Sequence, residues 1–104
     1  MSLRLPQNLS TGLKVETGAS VLDAEILAEK AAALGRAGRL VEQRLRALTA
    51  FAGADDERAP LVQSAADALH GYLVQRELCG LIRHDDVIEH YAVPREVLAR
   101  VGSK

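Results

Sequence analysis

The sequence has no tryptophan, one methionine, one cysteine and three aromatic residues, Phe51, Tyr72 and Tyr91. Any core must therefore be aliphatic, built from leucine, valine and alanine. A lone Cys79 cannot staple its own chain, which excludes a disulfide scaffold and points to a reducing, cytoplasmic setting. No excess of charge exists either: 13 Lys+Arg stand against 14 Asp+Glu. That balance excludes a polybasic nucleic-acid tail, an acidic disordered chain and a basic membrane-surface peptide. No apolar run approaches the ~20 residues that span a bilayer, so no membrane role is expected. The basic, apolar and small-residue segments of a secretory leader are also missing from the start of the chain. Glycines are dispersed, leaving no nucleophile elbow, phosphate loop or dinucleotide fingerprint. No catalytic residue and no cofactor is predicted.

What is present is helix. The 104 residues suit one domain. Residues 1–19, with Pro6, Gly12 and Gly18, lack a helical period and read as an extended arm; residues 20–104 read as a single helical domain. Ser20, with Asp23 three residues on, has the chemistry of a capping box. No proline interrupts the chain from there to Pro60, so a long helix is predicted from Val21 to Ala52. Leu27, Leu34, Val41 and Leu48 form one heptad column, and Ala24, Ala31, Gly38, Leu45 and Ala52 form the smaller-residue column beside it. These columns predict a helix–helix seam through Leu27, Leu34, Gly38, Val41, Leu45 and Leu48. A third column, Ile26, Ala33, Leu40 and Ala47, lies off that seam and calls for a further neighbour. A helix of that length spans about 48 Å against the ~35 Å width of a compact chain this size. An unbroken helix through Gly35 and Gly38 thus points to a homodimer.

Residues 53–60 read as the connection and the opening turn of a second helix, since the acidic cluster suits a helix N-terminus and Pro60 is tolerated in the first turn; the inner stripe is Val62, Ala65, Ala66, Leu69, Tyr72, Leu73 and Cys79, ended by Gly80. The fold class is all-α: a long antiparallel hairpin, then two short C-terminal helices, with the bundle completed by homodimerisation.

Three groups are candidates for chemistry. The pattern Val87-Ile88-x-x-Tyr91-Ala92-Val93-Pro94-x-x-x-Leu98-x-x-Val101 is the apolar skeleton of a helix-turn-helix over residues 85–102. Arg95 and Arg100 would then face nucleic acid. Ala92 stands where such turns favour glycine, and the segment from Leu81 onward carries no net charge, so packing is the reading preferred over DNA binding. Asp86 and His90, four apart behind a predicted Asp86–Glu89 capping box, share a helical face and form a weak metal pair. It needs a further ligand, with His70 the candidate. Cys79 sits at a helix C-terminus, the wrong end for a nucleophile. Arg36, Arg39, Arg44 and Arg46 would form a dianion site only along one face. They read instead as spread over several, solvating the helix and complementing its dipole.

Three stretches, Glu29–Arg39, Val74–Leu81 and Tyr91–Gly102, resemble a family of small uncharacterised bacterial all-helical proteins of unknown function. The resemblance implies a helical fold and a bacterial cytoplasmic setting, and it transfers no site residue. The function expected is a non-enzymatic self-association or protein-interaction module. The alternative is a small DNA-binding regulator using Arg95 and Arg100.

Overall fold

The computed structural model describes residues 17–103. It is helical throughout, with α1 at Thr17–Ala50, α2 at Asp55–Leu78, α3 at Asp85–His90 and α4 at Arg95–Leu98. No strand occurs among the described residues, and no helix there is long and apolar enough to cross a membrane. The chain divides into two compact units, residues 1–31 and 32–104, with the division inside α1. Most of the expected arm lies outside the described residues; its last three positions, 17–19, are already helical.

Ser20 is consequently inside α1 and is not its cap. The capping-box expectation is thereby corrected. The helix runs through Gly35 and Gly38 without a break. It stops at Ala50, two residues before the expected Ala52.

In the second unit, α1 and α2 pack as an antiparallel hairpin. Gly38 sits against Tyr72, while Arg44 bonds Ser64, so residue numbers fall on α2 as they rise on α1. The connection is short, Phe51–Ala54, because the acidic run belongs to the helix and not to the loop. Asp55, Asp56 and Glu57 fill the first turn of α2, where exposed amides and the dipole favour carboxylates. The Glu57 carboxylate accepts from the Ala54 N–H at 3.3 Å. This early start places Pro60 in the second helical turn rather than the first.

The core is aliphatic and small: Val41, Leu48, Val62, Ala65, Ala66, Ala68, Leu69, Val87, Val93 and Val97 are buried. Tyr72, Leu73, Leu45 and Tyr91 pack on its edge. Ala68 is the one buried residue of α2 outside the expected stripe, and α2 also packs against α4.

Two left-handed residues end helices in the same way. At Gly80 (φ +87°) the amide of Leu81 reaches back to the Arg76 carbonyl and that of Gly80 to Glu77, each at 2.9 Å. This is the double bond of a Schellman motif. At Ala92 (φ +50°) the amides of Val93 and Ala92 reach Ile88 and Glu89 in the same pattern, each at 3.1 Å. A side chain in that region costs about 1–2 kcal/mol, which glycine escapes. Glycine also gives back some of this through a freer unfolded chain. Ala92→Gly is therefore expected to raise stability by about 0.5–1 kcal/mol in urea denaturation, and a loss would contradict the left-handed turn.

Candidate functional site

A polar cleft lies where α3 meets α2. A cleft of about 420 Å³ is lined by Tyr72 and Arg76 of α2, by Asp86, Val87, Glu89 and His90 of α3, and by Tyr91. Arg76 is mostly buried, and its guanidinium donates to the Arg83 carbonyl at 2.7 Å. It also reaches Asp86 at 3.7 Å and lies 6.0 Å from the centre of the Tyr72 ring. Nearby, His84 Nε2 and the Glu77 carboxylate are 2.9 Å apart. These contacts fasten the 79–84 turn and α3 to the end of α2.

Tyr72 and Tyr91 meet edge to face with centroids 5.9 Å apart, and His90 stacks its edge on Tyr91 at 4.8 Å. Tyr91 then donates a long bond, 3.5 Å, to the Gly38 carbonyl. Burial, reinforced by Tyr72, pushes the Tyr91 phenol above its ordinary value of 10.0. The phenol therefore keeps its proton at neutral pH.

The expected metal pair is brought into this cleft, since Asp86 and His90 both line it. The rest of the ligand set does not assemble. The Asp86 carboxylate faces the Arg76 cation, and His70 lies elsewhere, against Gly102. Among the described residues no group of three His, Cys, Asp or Glu converges. The Asp86–Glu89 capping box is also absent: α3 begins one residue earlier, and its first amides bond the His84 carbonyl.

The helix-turn-helix skeleton is used for packing. Val87, Val93 and Val97 enter the core, and α4 is four residues long. Arg100 donates to the Gln63 side chain at 3.2 Å, and Gln63 in turn reaches the Ser103 carbonyl at 3.0 Å. Glu96 pairs with Arg58 of α2, which holds its carboxyl below the ordinary carboxylate value. Arg95 alone of the two expected contacts stays exposed without such a tie. Both short helices are tied to α2 by these contacts.

The expected seam residues divide. Gly38, Val41 and Leu48 are buried, Leu34 and Leu45 are half-buried, and Leu27 is exposed. Val41, Leu48 and Leu45 belong to the core that this chain's own α1 and α2 form, so their seam is the hairpin seam. A second copy would have to use other residues. The exposed ones are Val21, Leu22, Ile26 and Leu27 in the first unit, and in the second Leu40, Val74 and, at and just beyond the end of α2, Leu78, Leu81 and Ile82.

A further surface escaped the sequence reading. Arg36, Arg39 and Arg46 line a single shallow cleft of about 420 Å³ with Leu40, Glu42 and Gln43. Only Arg44 departs, turning to Ser64. The expectation that these arginines scatter over several faces is corrected for three of the four. The spacing 36, 39, 43, 46 is the signal that finds them, since steps of three and four keep one helical face.

Fold and surface together define a small all-helical hairpin protein with uncovered apolar and arginine-lined faces. The chain belongs to a family of unknown function (DUF6665), whose match runs over residues 1–104. No curated protein and no solved structure matches it.

Proposed function

We propose that the protein is a non-enzymatic helical interaction module that associates with a second copy of itself. One observation carries this reading. Every residue from 21 to 32 is exposed, and four of them are large aliphatics, Val21, Leu22, Ile26 and Leu27, that keep 51–67 % of their surface accessible. Scattered apolar residues are ordinary on a surface; four within seven positions of one helix are a contact patch. They lie on more than one side of the helix, the pattern of a segment that expects more than one neighbour. Half-burying such side chains is worth about 1 kcal/mol each, enough in sum to favour association once packing is cooperative. A single cysteine suits the reducing cytoplasm in which such a module would work.

The test is absolute mass in solution by light scattering over a wide concentration range. A value near twice 11.2 kDa is expected. Leu22→Lys combined with Ile26→Lys is expected to return the mass to that of one chain while the hairpin keeps its helical signal. A wild-type mass that stays at one chain throughout overturns the reading.

A further inference from the structure

The arginine-lined cleft of α1 lies wholly within the second unit. Residues 32–50 carry four arginines against one carboxylate, Glu42, while α2 carries more acids than bases. Charge in the hairpin is thus segregated by helix. The exposed face of α1 is a local positive field on a chain that is nearly neutral as a whole, and such a field gathers anions.

Two of the arginines are aimed in the same way. Arg39 folds back along the helix, since a β-carbon at Gly35 would lie 3.4 Å from its Nη1. Arg46 also turns back, with Nη2 3.5 Å from the Glu42 carboxylate. The two guanidinium groups therefore lie beside positions 35 and 42, which share one helical face and stand about 10 Å apart along the axis. Gln43 and Leu40 line the cleft with them. Arg39 makes no ion pair among the described residues. The Arg46–Glu42 pair is exposed on both sides, 74 % and 56 %, and a pair of that kind is worth little and is readily exchanged for a stronger anion.

We propose that this cleft binds a linear oligophosphate, as the bare chain or as the tail of a nucleotide, between Arg39 and Arg46. A single phosphate would meet one guanidinium at a time. A chain of phosphoryl groups has oxygens at both ends, so each planar fork closes on its own end with paired N–H bonds. The Gln43 carboxamide supplies a neutral donor between the two charges. A cleft of about 420 Å³ is of the size small ligands use, and its six lining residues span three turns of one helix, too little surface for a duplex. Binding here makes no use of the exposed aliphatics of residues 21–27 and stands whether or not the chain self-associates.

Isothermal titration calorimetry of the full chain with sodium tripolyphosphate at low ionic strength tests it. Saturable binding of one ligand per chain is expected, with orthophosphate weaker by about tenfold or more. Arg39→Gln and Arg46→Gln are each expected to weaken tripolyphosphate binding by about fivefold or more, since each removes one charged fork. Glu42→Gln is expected to strengthen it about two- to fivefold, because it removes a like charge and the competitor for Arg46. Arg83→Gln, a change of the same charge at an exposed position of the 79–84 turn, is expected to leave it within about twofold. All four changes are at exposed positions, and far-UV circular dichroism verifies that the helices persist. ATP binding as well as tripolyphosphate identifies the phosphate chain as the whole ligand, and ATP binding more tightly identifies a nucleotide; both support the proposal. Three results overturn it: no saturable binding by the wild type, a loss at Arg83→Gln equal to that at Arg39→Gln, or a short DNA duplex that displaces tripolyphosphate at a lower phosphate concentration.

Discussion

Leu69→Ala is expected to lower the unfolding free energy by about 3–4 kcal/mol, toward the upper half of the range for buried leucine truncations. Leu69 is completely buried, and its α2 neighbours in the core are Ala65, Ala66 and Ala68. Alanine methyls have no rotamers with which to fill a hole. The cavity would close only by moving whole helices, so little of its cost is recovered. A domain of this size is typically stable by only ~5–15 kcal/mol, so the change removes a large part of the total. Urea denaturation followed by circular dichroism measures it, and a loss below about 1 kcal/mol would contradict a core centred on this side chain. Leu78→Ala, at the exposed end of the same helix, provides the contrast and is expected to change monomer stability by less than about 0.5 kcal/mol.

The second large effect is expected at Gly38, and its sign separates packing from helix propensity. A β-carbon there would lie 3.1 Å from Tyr91 Oη and 3.3 Å from Tyr72 Cε1. At Gly35, one turn earlier, the nearest atom is the mobile end of Arg39 at 3.4 Å. Propensity alone favours replacing either glycine by about 1 kcal/mol. Gly35→Ala is expected to gain up to that amount. Gly38→Val is expected to lose about 2–3 kcal/mol, because its branched methyls have no room without displacing both tyrosines. The Tyr72–Tyr91 contact should loosen with it, visible as a change in near-UV circular dichroism. A Gly38→Val protein as stable as the wild type would contradict the close approach of α1 to α3.

Much of this fold was legible in the chain before any coordinates, because its strongest signals are periodic. The column Leu34, Val41, Leu48 and the stripe Val62, Ala65, Ala66, Leu69 mark the two faces that meet, and Gly80 marks a helix end by the conformation only glycine adopts readily. Termini were read less well. Ser20 and Asp86 are good cap residues by type, yet both lie within helices, since capping chemistry records what a residue can do and not whether the helix begins there. Pro60 is a related case: its preference is for the first turn, and the start of α2 at Asp55 puts it in the second. The hairpin's own seam takes Val41, Leu45 and Leu48 from the columns that suggest a surface for a second chain. One amphipathic face does not say whether its partner is the same chain or another. For the three arginines of one face, the spacing was present, and including Arg44 with them hid it.

The aromatic residues set what spectroscopy reports about this molecule. With no tryptophan, the tyrosine signal comes from Tyr72 and Tyr91, which touch each other and pack on the core of the second unit. Residues 17–31 contain no aromatic group and contribute only amide signal from their helix. Tyrosine ellipticity therefore watches one unit and far-UV ellipticity watches both. A melting curve in which the two probes separate would be the loosening of the first helical turns ahead of global unfolding. The size of that separation, measured against protein concentration, would gauge how strongly a neighbouring chain holds those turns in place.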